Sequence, residues 1–404
     1  MFKLREYQEE ASVQGMDVLR KHKILILCFE VRTGKSHIAL DIGKHYSNVL
    51  FVTKKKAISS IQADYTTANH KYDITVTNYE NLHNIKGNFD LVIADESHNL
   101  GSYPKPNKKA KLLRAFVKND LILMTGTLTP ESNSQIFHQL WISPFTPFKQ
   151  FANFYKFFNV LGTPEVVYTS YGQSKSYKNL NYDNIKHVIE PIKLTYTQKE
   201  AGFTSEITEH IIEVDMLPVT YNLIKRLKRD LVIEGENDVI LADTPVKLMQ
   251  KIHQLSSGTI KFESGNTKIL DYSKANYIQD NFQGKKLAIF YKFKAELEAI
   301  KMVLDVTEDL EEFNTTNKSI ALQFVSGRSG IKLDKADCIV AYTIDYSAIT
   351  FFQFRDRMNT LNRKENLVYW LFSKGGIEYK IHKAVMNKKN FTLQTFKKML
   401  KDLI

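Results

Sequence analysis

Residues 24–36 have the sequence ILILCFEVRTGKS, in which an apolar run leads into a short polar loop. Uninterrupted apolar runs of this length are typical of strands that are buried on both faces of a parallel sheet. The residues that follow, SHIALDIGKHY, have apolar positions at helical spacing. A strand, a loop and a helix in this order predict the start of an α/β domain.

The same alternation extends outward from this stretch over residues 1–130. Four more apolar runs occur there: NVLFVT (48–53), ITVTNY (74–79), FDLVIAD (89–95) and DLILMTG (120–126). The pattern returns near the C-terminus in KKLAIFY (285–291), SIALQFV (319–325), DCIVAYT (337–343) and NLVYWLF (366–372). Residues 131–265 are instead rich in aromatic residues and helical patterns, with a strand pattern only at TEHIIEVDM (208–216). We therefore predict two α/β halves with parallel sheets and a mainly helical region between them.

The length and composition of the chain limit the classes of protein to which it can belong. A chain of 404 residues exceeds the size at which one hydrophobic core usually stops growing, so two domains are expected. No apolar run approaches the roughly 18 residues that cross a membrane, and the N-terminus lacks the apolar core of a secretory signal. The only cysteines are Cys28 and Cys338, which excludes a disulfide framework and a cysteine zinc site. These features predict a soluble cytoplasmic protein without a membrane partner.

The formal net charge of the chain is +12. Contact with phosphate groups is the usual reason for such an excess of positive charge. The basic residues are spread along the chain, and each single run of lysines is more simply explained as a solvated face. The charge balance therefore favours a nucleic acid as partner without establishing one.

The loop EVRTGKS (30–36) has the residue types that phosphate binding requires. A lysine can reach the β- and γ-phosphates, a hydroxyl can bind Mg²⁺, and backbone N–H groups at a helix N-terminus can hold the oxygens. Gly34, Lys35 and Ser36 supply these groups directly between a strand and a helix. The pattern G-x-x-x-x-G-K-S is incomplete, because Phe29 and Arg32 stand where glycines are frequent. A chance occurrence of G-K-S is the alternative.

An acidic pair follows a second apolar strand in FDLVIADESH (89–98). Asp95 can hold Mg²⁺ through water, and Glu96 can orient and deprotonate the attacking water. The alternative is a pair of acids that simply starts a loop. The phosphate-binding pattern sixty residues upstream, at Lys35, argues against that alternative.

In order along the chain, the phosphate loop, DESH and LILMTGTLTP (121–130) resemble motifs I, II and III of the superfamily 2 helicases. LREYQ (4–8) resembles the adenine-reading element of that superfamily, in which Gln8 would bind the base. VTKK (52–55) resembles motif Ia and TNYENL (77–82) resembles motif Ib, which contact the nucleic-acid backbone in the family.

The second half of the chain continues the resemblance. KLAIFYKF (286–293) is similar to motif IV, and SGRSGIKLDKAD (326–337) is similar to motif V. Gln353 and Arg357 resemble the Q-x-x-x-R of motif VI, but Thr360 stands where the family has a second arginine. The next arginine is Arg363, so the identity of the arginine that stabilises the transferring phosphoryl group is left open between Arg357 and Arg363.

Four segments resemble the Snf-type branch of the superfamily, whose members translocate on double-stranded DNA. They are ESNSQIFHQLW (131–141), DMLPVTYNLIKRL (215–227), KLMQKIHQLSSGT (247–259) and SGNTKILD (264–271). The compact length resembles the small members of this group that tailed bacteriophages encode. The resemblance covers nearly the whole chain. It implies RecA-like domains at 1–145 and 270–404 and a mainly helical connector at 146–269.

The resemblance also implies a role for individual residues. For binding of ATP it implies Gln8, Arg32, Thr33, Gly34, Lys35, Ser36 and Gly330. For catalysis it implies Lys35, Asp95, Glu96, Arg357 and Arg363, and for Mg²⁺ held with the ATP it implies Ser36 and Asp95. For contact with nucleic acid it implies Lys54, Lys55, Asn78, Tyr79, Lys292, Ser326 and Arg328. For coupling of hydrolysis to movement it implies His98, Thr125, Thr127 and Gln353.

Three interpretations of function remain open from the sequence. The first is an ATP-hydrolysing motor on DNA, with double-stranded DNA favoured and forks or junctions as further substrates, in phage replication or recombination. The second is an RNA helicase, and the third is a nucleic-acid-binding scaffold with a degenerate ATPase. Protein partners cannot be predicted. The aromatic stretch FKQFANFYKFF (148–158) is interpreted as a helix packed on a domain rather than as a platform for stacked bases.

Overall fold

The computed structural model describes residues 3–169, 172–202, 206–235, 238–324, 333–355, 365–387 and 395–396. The chain divides into two compact units, Met1–Phe203 and Thr204–Ile404. Each unit is built on a six-stranded sheet in which every pair of neighbouring strands is parallel. The predicted fold class, α/β with two parallel sheets, is confirmed.

The first unit alternates strands with helices. Its helices are α1 (Glu6–His22), α2 (Lys35–Gly43), α3 (Ile58–Thr67), α4 (Lys108–Arg114), α5 (Ile136–Trp141), α6 (Phe154–Leu161) and α7 (Asp183–Ile189). Its strands are β1 (Ile24–Phe29), β2 (Asn48–Thr53), β3 (Asp73–Asn78), β4 (Leu91–Ala94), β5 (Asp120–Thr125), β6 (Glu165–Thr169), β7 (Gly172–Ser176) and β8 (Lys193–Tyr196). The six-stranded sheet has the order β3-β2-β4-β5-β1-β8, and β6 and β7 form a separate antiparallel hairpin.

Both faces of this sheet are covered, because successive side chains of a strand point to opposite sides. In β1, Ile24 and Ile26 belong to a core that includes residues of α4 to α7. Leu25 and Leu27 belong to a second core with α1, α2 and α3. Coverage by helices on both sides explains why the strands are continuous apolar runs.

The second unit has the same architecture. Its helices are α8 (Pro218–Asp230), α9 (Pro245–Ser256), α10 (Ser273–Asn281), α11 (Lys294–Val303), α12 (Leu310–Thr315), α13 (Ala348–Arg355) and α14 (Glu378–Met386). Its strands are β9 (Glu206–Val214), β10 (Val232–Glu234), β11 (Val239–Leu241), β12 (Thr259–Lys261), β13 (Thr267–Ile269), β14 (Leu287–Tyr291), β15 (Val306–Thr307), β16 (Ser319–Gln323), β17 (Cys338–Ala341) and β18 (Glu365–Ser373). The sheet order is β15-β16-β14-β17-β18-β9, and β10–β11 and β12–β13 are small antiparallel pairs.

The two faces of the second sheet are also buried. Ala288 and Phe290 of β14 pack in a core with α8, α9, α13 and α14. Leu287 and Ile289 pack in another core with α10 and α11. The alternation along one strand therefore specifies which helices cover which face.

The segment predicted as a connector, 146–269, is distributed between the two units. Its first part reaches β8, which pairs with β1 at Ile26↔Lys193 and extends the first sheet. Its later part contains β9, which pairs with β18 over nine residues and extends the second sheet. This segment also contains the strands β6 to β8 and β10 to β13, which the sequence does not predict. In the two large sheets, β8 and β15 are not predicted because both are short and β8 lacks an apolar run. The division at 203/204 thus differs from the predicted boundaries at 145/146 and 269/270.

The aromatic stretch 148–158 forms part of the first core. Its helix, α6, begins at Phe154 rather than at the start of the stretch. Phe148, Phe154, Phe157 and Phe158 are buried in the core with α4, α5 and α7. Packing in this core therefore explains why these positions hold large apolar side chains.

Within the described part of the chain, no helix is both long enough and apolar enough to cross a membrane.

Candidate active site

The predicted phosphate loop and acidic pair lie at one edge of the first sheet. Strands β2, β4, β5 and β1 are consecutive neighbours and all run in the same direction. Loops that follow parallel strands meet at the carboxyl edge of a sheet, which is where ligands bind in open α/β folds. The loop of Lys35 follows β1, Lys54 follows β2, the acidic pair follows β4, and Thr125 ends β5. Residues far apart in sequence therefore converge at this edge.

The phosphate loop has a backbone shaped for close approach of an anion. Gly34, directly before α2, has φ of 82° in the left-handed region, and Arg32 has φ of 63°. The buried hydroxyl of Thr33 donates a hydrogen bond of 2.7 Å to the carbonyl of Glu30. The N-terminus of α2 with Lys35 and Ser36 in its first turn suits a phosphate group, because free N–H groups and the helix dipole attract negative charge.

The ammonium group of Lys35 is held inside this loop. Its Nζ donates hydrogen bonds to the carbonyl oxygens of Phe29 at 2.6 Å and Glu30 at 2.8 Å. Removal from solvent lowers the pKa of Lys35, and the nearby carboxylates of Glu96 and Asp95 partly oppose that shift. Lys35 is thus positioned between the loop backbone and the acidic pair.

Gln8 supports the loop from α1. Its Oε1 accepts a hydrogen bond of 3.0 Å from the Arg5 backbone N–H, and its Nε2 donates to the Thr33 carbonyl at 3.3 Å. The Tyr7 hydroxyl donates to the same carbonyl at 2.9 Å. The structure therefore shows Gln8 fixing the phosphate loop, and its contact with an adenine base stays a prediction.

Asp95 forms hydrogen bonds with residues at the end of β2 and directly after β3. Its Oδ2 accepts a hydrogen bond from the Thr53 hydroxyl at 2.7 Å, and its Oδ1 accepts one from the Glu96 backbone N–H at 2.9 Å. The Tyr79 hydroxyl donates to the Asp95 carbonyl at 2.6 Å. Burial and, after it, the charge of Glu96 together raise the pKa of Asp95 to about 6, although the Thr53 hydroxyl, Lys35 and Lys54 oppose the shift.

These donors fit a magnesium ion that arrives with a nucleotide. Carboxylate and hydroxyl oxygens are the protein ligands that Mg²⁺ prefers, and Asp95 and Ser36 supply one of each. The unfavourable crowding of the Asp95 and Glu96 carboxylates is also the kind of repulsion that a cation relieves.

Each carboxylate oxygen of Glu96 lies near a nitrogen of another side chain, and one of them is held by an ion pair. Its Oε1 lies 3.2 Å from Nζ of Lys54, and its Oε2 lies 3.4 Å from Nδ1 of His98. Burial acts to raise the pKa of Glu96, but Lys54 and His98 outweigh it, so the pKa lies below its ordinary value. The backbone of Glu96 has φ of 51°, and such strain in a residue other than glycine clusters at functional sites.

His98 connects the acidic pair to the end of β5. Its Nδ1 lies 3.1 Å from the Thr125 hydroxyl, which donates its own proton to the Thr127 carbonyl at 2.8 Å. Because that proton is used, Nδ1 of His98 is assigned as the donor to Thr125. The predicted coupling residues of the first unit, His98, Thr125 and Thr127, therefore form one connected set.

The residues predicted to contact nucleic acid differ from one another in exposure and in bonding partners. Lys55 is exposed, in the short turn after β2. Lys54 pairs instead with Glu96, and Tyr79 is only 3% exposed, so burial removes its ring from the surface. The Asn78 side chain accepts a hydrogen bond from the Asn81 backbone and shapes the turn after β3. In the second unit, Lys292 is paired with an aspartate, at 2.9 Å from Asp345.

Several predicted residues lie outside the described part of the chain. They are Ser326, Arg328, Gly330, Arg357 and Arg363. Gln353 lies in α13, and only its backbone position is described. Their roles stay predictions.

The structure also adds residues that the sequence analysis missed. Gln198, in the segment after β8, donates its backbone N–H to Glu30 Oε2 at 2.7 Å and its side-chain amide to the Val31 carbonyl at 2.9 Å. No local pattern links it to a loop 167 residues away. Thr53 could have been found, because it ends a strand next to the one that precedes Asp95.

Part of the first unit is similar to a known protein family. Residues 1–130 match the family described as "Type III restriction enzyme, res subunit". The matched segment contains the phosphate loop, the acidic pair and Thr125.

Among solved structures, the SWI2/SNF2 ATPase core of Sulfolobus solfataricus in complex with dsDNA is similar, with 16% identity and a TM-score of 0.44. The similarity covers 100% of this chain and 93% of that one. Comparison with curated proteins gave no match.

Replacing Gly34 by alanine is expected to weaken nucleotide binding. An added Cβ would lie 2.0 Å from Nε2 of Gln8, at a backbone angle that side chains rarely adopt. Strain of this kind costs about 1–3 kcal/mol, and the loop can relieve it by leaving the conformation that suits a phosphate group. We therefore expect about a fivefold or larger loss of affinity for a fluorescent ATP analogue.

Gly284→Ala is the matched control for this variant. Gly284 also has positive φ, at 73°, but no atom lies within 4 Å of its added Cβ. It should cost stability without changing nucleotide affinity. Equal affinities of Gly34→Ala and wild type would show that the loop does not depend on this glycine.

Proposed function

We propose that this protein is an ATP-hydrolysing motor of the superfamily 2 helicase type that translocates on DNA. The observation that carries the proposal is the convergence of Lys35, Asp95, Glu96 and the His98–Thr125 link at one sheet edge. A nucleic-acid-binding scaffold would need none of these contacts. The complete set therefore favours hydrolysis over a degenerate ATPase.

The residues of the first unit have separate roles in the proposed hydrolysis. Lys35 and the N–H groups of the loop bind the phosphates, and Glu96 orients and deprotonates the attacking water. Asp95 and Ser36 would hold Mg²⁺, which supplies charge neutralisation at the phosphates. His98 and Thr125 connect this chemistry to the end of β5. Arg357 or Arg363 would stabilise charge on the transferring phosphoryl group.

DNA is the proposed track, with double-stranded DNA favoured over single strands. The net charge of +12 and the exposed Lys55, which follows Lys54 in the chain, support contact with a phosphate backbone. The Snf-type segments of the sequence favour DNA over RNA, and RNA remains the second candidate. A role in phage replication or recombination, and a preference for forks or junctions, rest on the resemblance of the sequence.

We expect hydrolysis to be stimulated by duplex DNA and DNA affinity to fall steeply with salt. Hydrolysis should be measured in parallel without nucleic acid and with duplex DNA, single-stranded DNA and RNA, beside a strand-displacement assay. In a salt titration, Lys55→Gln should lower the slope of log affinity against log salt by about one, because one phosphate contact is lost.

The same set of measurements separates the candidate functions. Stimulation by RNA equal to or above that by duplex DNA would favour the RNA helicase. Tight binding of nucleic acid without any stimulation would favour the scaffold.

A further inference from the structure

The ion pair between Lys54 and Glu96 joins two parts of the proposed machinery. Lys54 directly follows β2 and begins a turn with two further lysines, Lys55 and Lys56, which are exposed. Its Nζ points to the carboxylate of Glu96 at 3.2 Å, and the two side chains are 24% and 17% exposed. A lysine expected at the nucleic-acid surface is therefore bound to the residue that is expected to activate water.

This pairing occupies the carboxylate of Glu96. One oxygen contacts Lys54, and the other faces His98 at 3.4 Å. A carboxylate that is held by an ammonium group has less freedom to accept a proton from a water molecule and to align that molecule. Withdrawal of Lys54 would release the oxygen that it holds.

A phosphate group is a suitable competitor for Lys54. The Lys54–Glu96 pair is partly exposed to solvent, and such pairs are weak. A nucleic-acid phosphate carries a permanent charge, and the exposed Lys55 and Lys56 would attract it to the same turn. The ammonium group can then exchange one anionic partner for the other without being left unpaired.

We propose that Lys54 is a positioning residue that restrains Glu96 until a nucleic-acid phosphate draws it away, so that binding of the track releases hydrolysis. This inference rests on the proposed function and specifies how that function is regulated. Because coupling between two sites is reciprocal, Glu96 must also weaken the binding of nucleic acid through Lys54.

A double-mutant cycle on DNA binding tests the exchange without any nucleotide. Glu96→Gln should tighten binding of a duplex oligonucleotide about two- to fivefold, the range expected for release of a partly exposed ion pair. In the Lys54→Gln background the same change should have little effect. Lys56→Gln, on the same turn, should leave the effect of Glu96→Gln intact.

Hydrolysis without DNA provides the second readout. Lys54→Gln should raise this basal rate about two- to fivefold, by the same estimate, and should reduce the ratio of DNA-stimulated to basal rate. Lys54→Arg keeps a cation opposite Glu96 and should keep the basal rate low. Lys44→Gln removes a lysine that pairs with Asp41 instead, and it should leave the basal rate unchanged.

Three results would overturn the inference. They are additive effects of Lys54→Gln and Glu96→Gln on binding, a lower basal rate in Lys54→Gln, and an unchanged ratio of stimulated to basal rate. Wild-type protein that binds DNA but shows no stimulated hydrolysis would contradict the proposed function, and the binding cycle would still decide whether Lys54 is shared between the two anions.

Discussion

Glu96→Gln is expected to lower DNA-stimulated ATP turnover by at least about 100-fold while nucleotide binding is retained, because losing a general base typically has an effect of this size. The amide cannot accept a proton from water, but it has nearly the shape of the carboxylate. Lys35 and the loop that holds it are unchanged by this substitution, so the nucleotide affinity should change little.

ATP turnover and nucleotide binding of Glu96→Gln should be measured in parallel. Glu96→Gln should accumulate as a nucleotide-bound form on DNA, which a filter or anisotropy assay with labelled nucleotide would detect. Glu308→Gln removes an exposed carboxylate that is paired with Lys301, and it serves as the control with normal turnover. Turnover of Glu96→Gln within about threefold of wild type would remove Glu96 from the role of base.

The central strands of both sheets are predictable from sequence for a physical reason. Strands β1, β2, β4 and β5 are covered on both faces, so their sequences are continuous apolar runs that differ from all surrounding segments. The edge strand β8 is half exposed and contains Lys193 and Thr195, so no such run marks it. Its position depends on backbone pairing with β1, which a local pattern does not encode.

The acidic pair and the phosphate loop were also predictable, but their supporting contacts were only partly so. A glycine–lysine–serine loop between a strand and a helix and an acidic pair after a later strand each have a structural alternative, and it is their combination that indicates a nucleotide site. The contacts of Tyr79 and Lys54 do not follow from the motifs that contain them. Both occur in motifs expected at the nucleic-acid surface, yet one is buried against Asp95 and the other pairs with Glu96.

Lys35→Ala is expected to reduce nucleotide affinity by about 100-fold and turnover below detection. A hydrogen bond to a charged group contributes about 1.5–3 kcal/mol, and the same ammonium group would also stabilise charge that develops during phosphoryl transfer. Lys35 lies at the start of α2, where its ammonium group bonds to the Phe29 and Glu30 carbonyls of the loop.

Lys44→Ala separates this role from a general loss of positive charge. Lys44 directly follows the same helix, and its ammonium group pairs with Asp41 at 2.9 Å on the solvent side. Both variants lower the net charge by one, so DNA affinity should fall by a similar factor in each, whereas only Lys35→Ala should lose nucleotide binding. Isothermal titration with a non-hydrolysable ATP analogue measures the difference. If the two variants bind the analogue equally well, the phosphates are held elsewhere, and the loop at 30–36 is a structural turn after β1.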